Sequence, residues 1–211
     1  MTRAKRLALL TGIYAIVNEG PRALAIARAA LAAEITVIQY RAKDGIDPER
    51  LQALVALAHQ HAALLLLNDN WTAAREYDCD GVHLGPGDDG FDDPVRVRAT
   101  WPDAVIGLST GTAAEAMVAD GSAVDYLGVG PIFSTKSKAD AGAPIGLAGL
   151  HAIRAVTQLP ICAIGGIDAA RIASVRTSGA AMAAVIAALA SPENPQVAAA
   201  ELVAAWNDTS Q

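Results

Sequence analysis

Short apolar segments alternate with longer segments of helical periodicity along the whole chain, and this alternation limits the possible folds more than any other feature. The segments are four to seven residues long and mostly apolar on both faces; they span 13–17, 35–41, 64–67, 81–84, 105–109, 126–129, 161–164 and 181–186. Strands of this kind are typical of parallel sheets covered on both faces. About eight such strands with helices between them predict a closed (β/α)8 barrel, the TIM-barrel fold.

The segments between the strands carry helix signals, including Pro21 and Pro48 at helix starts. Further helices are predicted at 71–77, 112–120, 147–157, 168–178 and 194–206. A doubly wound sheet would show the same alternation, but no G-x-G-x-x-G follows the first strand and no Walker-type loop is present. Because no linker-like stretch divides the chain, we predict one α/β barrel domain over 1–211, with its active site at the carboxyl ends of the strands.

Composition limits the classes of partner and indicates the cellular compartment. The chain has 211 residues, 53% hydrophobic content and a net charge of −6, without a dense Lys or Arg tract. Disorder is excluded, and neither nucleic acid nor an anionic membrane is expected as a partner. Cys79 and Cys162 lack metal or disulfide spacing, and no apolar run reads as a signal or a membrane span. We expect a cytoplasmic protein and leave a homo-oligomer open.

Polar residues follow the predicted strands and would meet at one end of the barrel. The acidic ones are Asp69 and Asp88, and the cationic ones are Arg41, Lys43 and Lys138. Two carboxylates together with phosphate oxygens and water are a common set of ligands for Mg²⁺, and Arg and Lys neutralise the remaining phosphate charge. These residues predict a site for a diphosphate with Mg²⁺.

A second anion site is predicted after strands seven and eight. Gly165 and Gly166 follow strand seven and small residues follow strand eight, where barrels frequently bind one phosphate on backbone N–H groups. Two anion sites at one barrel mouth indicate a reaction that joins or exchanges groups between two phosphorylated small molecules. No histidine ends a strand, since His83 lies within 81–84, so the chemistry is expected to rely on electrostatics and positioning.

Several motifs stand in an order and spacing that resemble one family. They are I-Y-A-I-V, T-V-I-Q-Y-R-A-K, L-N-D-N, D-G-V-H-L-G-x-x-D, I-G-L-S, D-Y-L-G-V-G-P-I-F-S-T-K-S-K, P-I-G-L-x-G-L and A-I-G-G-I. Together they cover nearly all of the chain, which resembles the thiamine-phosphate synthases. The resemblance implies transfer of a hydroxymethylpyrimidine group from its diphosphate to a hydroxyethylthiazole phosphate, with or without a carboxylate, by a Mg²⁺-assisted dissociative mechanism that gives thiamine phosphate and pyrophosphate.

The resemblance also implies roles for individual residues. Asp69 and Asp88 would hold the Mg²⁺, and Arg41, Lys43, Ser109 and Lys138 would be catalytic. The residues expected to bind the pyrimidine diphosphate are Gln39, Tyr40, Arg41, Ala42, Lys43, Asn68, Ser109 and Lys138. Those expected around the thiazole phosphate are Thr135, Lys136, Ser137, Gly166, Ile186 and Ala187. Departures from the family pattern include Tyr40, Gly111 and Ala187.

Simpler interpretations exist for several of these residues. Asp69 is also placed to cap a helix that starts at Trp71, and Asp88 lies in an ordinary turn sequence. His83 is interpreted as a core histidine whose ring nitrogens are satisfied, and the loop 133–144 as a lid. Two other functions are kept open: a related thiazole tautomerase, and a barrel that binds thiazole phosphate without turnover.

Overall fold

Consecutive parallel strands form a closed barrel in the computed structural model, which describes residues 1–119, 123–137 and 142–209. Each strand pairs with its neighbours in chain order, and the eighth pairs with the first. The strands are β1 (Gly12–Asn18), β2 (Val37–Arg41), β3 (Leu64–Asn68), β4 (Gly81–Leu84), β5 (Val105–Thr110), β6 (Tyr126–Val129), β7 (Ile161–Ile164) and β8 (Met182–Val185). The predicted TIM barrel is confirmed.

Helices cover the outside of the barrel. Those in the described residues are α1 (Arg3–Leu7), α2 (Ala23–Ala32), α3 (Pro48–Gln60), α4 (Trp71–Glu76), α5 (Pro94–Thr100), α6 (Ala113–Ala119), α7 (Gly146–Arg154), α8 (Ile172–Thr177), α9 (Ala187–Ala190) and α10 (Pro195–Asn207). The sequence prediction missed α1, α5 and α9. For α5 the signal was present, since Asp93 caps it by accepting a 3.0 Å bond from the Arg96 N–H, and Pro94 follows.

The core has two layers, because alternate residues of each strand face opposite sides of the barrel wall. Inward residues such as Tyr14 and Ile16 fill the barrel interior, whereas Ala15 and Val17 pack against the surrounding helices. The interior layer consists of Leu10, Tyr14, Ile16, Val37, Leu64, Leu66, Val105, Tyr126, Cys162, Met182 and Ala184. Which face a polar residue occupies therefore follows from its place in this alternation.

The short helix α1 closes the end of the barrel where the strands begin. Its Arg3 pairs with Asp125 and its Arg6 with Asp80, and both aspartates are buried. Asp80 accepts a 3.0 Å bond from the Leu65 N–H, and Asp125 accepts a 2.8 Å bond from the Ile106 N–H. These buried charges are therefore paired and hydrogen-bonded, as the burial of a charge requires. The open end of the barrel is the opposite one.

No helix among the described residues is both long enough and apolar enough to cross a membrane.

Candidate active site

A cavity of about 500 Å³ opens where the strands end. It brings together residues that the sequence places far apart. The predicted site residues that line it are Gln39, Arg41, Lys43, Asn68, Asp69, Asp88, Ser109, Thr135, Ser137, Gly166, Ile186 and Ala187. Strand ends from β2 to β8 thus contribute to one concave site.

Some predicted site residues lie elsewhere. Tyr40 is fully buried outside the barrel wall, where its hydroxyl donates to Glu19, itself paired with Arg50. Ala42 lines a smaller side cavity next to Lys43, and Lys136 is exposed away from the main cavity. Lys138 lies outside the described residues, as does part of the predicted lid 133–144. Tyr40 and Ala42 alternate with the inward residues Gln39, Arg41 and Lys43, which explains their different placement.

Asp69 lines the cavity, and another residue caps the helix that follows it. Asn70, not Asp69, is the N-cap of α4, and its side-chain oxygen accepts a 2.9 Å bond from the Ala73 N–H. Asp69 itself has a positive φ of 70° and donates its backbone N–H to the His83 carbonyl at 2.9 Å. Left-handed backbone is unfavourable for most residues, although Asp and Asn tolerate it. The capping interpretation of Asp69 is therefore wrong, and its carboxylate is available to the cavity.

Asp88 approaches Asp69 from the loop after β4. The turn suggested by the sequence is present, since the Gly85 N–H donates to the Asp88 carboxylate at 2.6 Å and Asp88 remains half-buried. Burial, and then the neighbouring Asp88 charge, raise the pKa of Asp69 to about 6, while Lys43 and Arg41 partly oppose this rise. Two carboxylates this close together favour a shared proton or a cation between them.

This donor set fits Mg²⁺. Hard oxygen ligands suit the ion, which usually takes one or two carboxylates and completes its octahedron with water and substrate oxygens. Within the described ranges no cluster of three or more His, Cys, Asp or Glu side chains is placed to hold a metal. An ion between Asp69 and Asp88 would thus leave positions for other oxygens.

A chain of side-chain hydrogen bonds crosses the floor of the cavity. Gln39 donates to the Tyr14 hydroxyl at 3.0 Å, and the Tyr14 and Tyr126 hydroxyls are 2.8 Å apart. The chain continues from Tyr126 to His83 Nδ1 at 3.0 Å, and from His83 Nε2 to the Ser109 hydroxyl at 3.1 Å. His83 is thus hydrogen-bonded at both ring nitrogens, as the sequence interpretation held, and it also lines the cavity.

Two strand glycines make room for these rings. A Cβ at Gly107 would lie 2.1 Å from the Tyr126 ring, and one at Gly128 would lie 2.6 Å from His83 Cε1. Burial raises the pKa of both Tyr14 and Tyr126, so the two phenols stay protonated at neutral pH. The floor is accordingly an aromatic surface with two protonated phenols and fixed hydrogen-bonding groups. Sequence reasoning missed Tyr14 and Tyr126, although both occupy inward strand positions.

The opposite side of the cavity is formed largely by backbone. Gly165 and Gly166 have positive φ values of 101° and 64°, and the Phe133 N–H donates to the Gly165 carbonyl at 3.0 Å. A Cβ at Gly166 would lie 2.5 Å from the Ser134 carbonyl oxygen, so only glycine fits between these loops. Thr135 and Ser137 add hydroxyl groups at the same rim. Such a loop is suited to an anion of modest size.

Comparisons with known proteins identify the family of the chain. Residues 13–189 match the sequence model of a family described as thiamine monophosphate synthase. The chain belongs to this family. The thiamine-phosphate synthase of Anaeromyxobacter dehalogenans is 41% identical over 206 residues, which cover 96% of this chain and 91% of that protein. The thiamine-phosphate synthase of Moorella thermoacetica is 39% identical over 186 residues, covering 87% and 88%.

A solved structure gives the same result. Thiamine phosphate pyrophosphorylase from Pyrococcus furiosus superposes with a TM-score of 0.82 at 29% identity, covering 96% of this chain and 97% of that one. The predicted family is confirmed, and with it the predicted class of enzyme, a transferase of thiamine biosynthesis.

One departure from the family pattern is accommodated locally. At Gly111, the backbone N–H donates to the Glu115 carboxylate at 2.7 Å. Glu115 and Thr112 form a reciprocal capping box, since the Glu115 N–H donates to the Thr112 hydroxyl at 3.2 Å. The loop after β5 is therefore held without an imidazole.

Proposed function

We propose that this chain transfers a hydroxymethylpyrimidine group from its diphosphate to a hydroxyethylthiazole phosphate, releasing pyrophosphate. The observation that carries the proposal is the Asp69–Asp88 pair beside Arg41 and Lys43, facing the glycine loop at Gly166 across one cavity. Acidic and basic groups together suit a diphosphate with a divalent cation, and the glycine loop suits one phosphate. We place the reaction in the cytoplasm, consistent with the unpaired cysteines Cys79 and Cys162.

Asp69 and Asp88 would hold Mg²⁺, which supplies charge neutralisation for a departing diphosphate. Arg41 and Lys43 line the same side, and Arg41 donates to the Asn18 side chain at 3.2 Å, which orients its guanidinium. These two cations, with Asn68 and Lys138, would bind the diphosphate oxygens. Since charge on the leaving group rises as its bond breaks, fixed cations stabilise the transition state more than the bound substrate.

The floor of the cavity would hold the pyrimidine ring. Gln39, Tyr14, His83 and Ser109 present hydrogen-bonding groups whose orientations are fixed by their neighbours in the chain of bonds. A planar, uncharged heterocycle can stack on this floor and hydrogen-bond to it. When the diphosphate leaves, the hydroxymethylpyrimidine group becomes a cation that is still held there. Aromatic side chains offer a favourable face to such a cation.

The thiazole phosphate would lie at the other rim, near Thr135, Ser137, Gly166, Ile186 and Ala187. The attacking thiazole nitrogen has no proton to lose, so the transfer requires no general base. Both ring nitrogens of His83 are already hydrogen-bonded within the floor, which agrees with a positioning role for this residue. Closure of the loop 133–144 would keep water from the cationic fragment.

Pyrophosphate release tests the proposal. Release from hydroxymethylpyrimidine diphosphate should require both the thiazole phosphate and Mg²⁺, and it should collapse in Asp69→Asn. Asn is the better replacement than Ala, because the φ of 70° at this position favours Asn among residues with a side chain. Binding of thiazole phosphate without release would instead support the non-catalytic barrel, and metal-independent proton exchange on the thiazole would support the tautomerase.

A further inference from the structure

We propose that Trp71 and Asp89 are positioning residues that fix the distance between the two metal-binding carboxylates. The indole N–H of Trp71 donates to the Asp89 carboxylate at 2.8 Å. Trp71 lies two residues after Asp69, and Asp89 directly follows Asp88. One hydrogen bond therefore joins the start of α4, which follows the Asp69 loop, to the loop after β4 that carries Asp88. The inference rests on the Mg²⁺ site of the proposed function.

The two ends of this link differ in their surroundings. Trp71 begins α4 and is only 7% exposed, packed in the core between the barrel and its helices. Asp89 lies on the surface, with a side chain that is 66% exposed. The core thus provides a buried donor, and its partner is the exposed loop that carries Asp88.

Arg96 and Gly90 complete the attachment. Arg96 pairs with Asp89, and its guanidinium carbon lies 5.6 Å from the centroid of the Trp71 ring. A Cβ at Gly90 would lie 2.5 Å from Val97 and 3.4 Å from Trp71, so the loop packs closely on both. Asp89 is therefore held by a donor on α4 and a cation on α5, immediately beside Asp88.

Such an attachment matters for Mg²⁺ because neither carboxylate is fixed by regular secondary structure. Asp69 has left-handed backbone after β3, and Asp88 lies in the turn after β4. Like charges repel, so in the absence of a cation the two loops tend to separate. Because Mg²⁺ demands nearly ideal octahedral geometry, a link that keeps the carboxylates close raises affinity without contacting the ion.

The test is the binding of Mn²⁺, an EPR-visible substitute for Mg²⁺, to the intact protein without substrates. In Asp89→Ala the dissociation constant for Mn²⁺ should rise about fivefold. Asp89→Asn keeps an acceptor for the indole and should remain within about twofold of wild type. Asp92→Ala removes an equal charge from an exposed position of the same loop and should also remain within about twofold. Trp71→Phe, which removes the indole N–H together with the five-membered ring that carries it, should reproduce the loss.

Kinetics give an independent readout. In Asp89→Ala the Mg²⁺ concentration for half-maximal rate should rise by more than kcat falls. Equal weakening in Asp89→Ala, Asp89→Asn and Asp92→Ala would show that charge alone acts, and the inference would be wrong. Wild-type affinity in Asp89→Ala would also overturn it.

Asp69→Asn separates failure of this inference from failure of the proposed function. If Asp69→Asn abolishes Mn²⁺ binding and Asp89→Ala does not weaken it, the metal site stands and only the role of Asp89 is lost. If Asp69→Asn binds Mn²⁺ as tightly as wild type, the proposed metal site is wrong, and the role of Trp71 and Asp89 fails with it.

Discussion

Two halves of the cavity rim present different chemistry to an anion. The acidic half, formed by the loops after β2, β3 and β4, uses the side chains of Arg41, Lys43, Asp69 and Asp88. The glycine half, formed by the loops after β6, β7 and β8, uses backbone around Gly166. The acidic half concentrates charge, and the pKa of Asp69 is raised there. The shape of the glycine half is set instead by the close approach of two loops at Gly166. Substitutions in the two halves should therefore impair the enzyme in different ways.

The largest effect is expected in the acidic half. Asp69→Asn removes one proposed Mg²⁺ ligand while keeping the backbone conformation, so the rate should fall about 10²- to 10³-fold. The measurement is pyrophosphate release across a range of Mg²⁺ concentrations. Recovery of the full rate at high Mg²⁺ would show that Asp69 only assists binding of the ion.

The same variant should be more stable than wild type in EDTA. The pKa of Asp69 is about 6 in the folded protein and 3.8 for an unperturbed Asp, so the folded state binds the additional proton between these values. Wild type should therefore lose stability relative to Asp69→Asn as pH rises from about 4 to about 6. At pH 7 the gain should be about 1 kcal/mol, because solvent screens a half-buried charge.

Thermal unfolding in EDTA at pH 4 and pH 7 measures this difference. If Asp69→Asn is less stable than wild type at pH 7, the ionised Asp69 carboxylate stabilises the fold without metal. That result would contradict the raised pKa of Asp69.

The next largest effect is expected in the glycine half, and it should be structural. A Cβ at Gly166 would lie 2.5 Å from the Ser134 carbonyl oxygen and 2.9 Å from Phe133 Cβ. Gly166→Ala should therefore cost about 2 kcal/mol of stability and raise KM for the thiazole phosphate about tenfold. The dependence of the rate on Mg²⁺ should change little.

Gly12→Ala is the matched control for Gly166→Ala. Gly12 has a positive φ of 83°, and among the described residues nothing lies within 4 Å of a Cβ placed there. It shares the backbone penalty and lies at the other end of the barrel. An equal rise in KM for both variants would show that the effect of Gly166→Ala does not arise from the glycine loop.

A smaller effect is expected at Arg171, which supports the glycine half from behind. Its guanidinium donates to the Gly166 carbonyl at 2.7 Å and lies 5.1 Å from the Phe133 ring centroid. Arg171→Ala should raise KM for the thiazole phosphate about threefold, since one hydrogen bond and one cation–π contact are lost at a partly exposed site. Arg28→Ala, which removes a charge from an exposed position of α2, should leave this KM unchanged.

Sequence periodicity predicts the barrel because strand and helix patterns are local, and strand ends locate the rim for the same reason. The floor is a different case. Tyr14 and Tyr126 are 112 residues apart, and their hydrogen bond follows only from the closed geometry of the barrel. Asn70 directly precedes the predicted helix 71–77 and was a local capping signal, whereas nothing local reveals that Trp71 reaches Asp89.

The alternation of side chains along β2 was a usable signal. The prediction did not use it and assigned the continuous run 39–43 to the site. Gln39 and Arg41 line the cavity, while the Tyr40 side chain lies on the other face of the wall. A motif shared with a family marks neighbouring residues alike, whereas the pleat of a strand divides them between two surfaces.

Tyr40→Phe tests this division and should have the smallest kinetic effect. The hydroxyl that donates to Glu19 is lost, so stability should fall by about 1 kcal/mol, and KM for the pyrimidine diphosphate should stay within about twofold. The neighbouring Gln39→Met removes the donor to Tyr14 inside the cavity and should raise this KM severalfold. If Tyr40→Phe raised KM as much as Gln39→Met, position 40 would act on substrate through the loop it anchors. The face of β2 on which a side chain lies would then not decide whether that residue affects substrate binding.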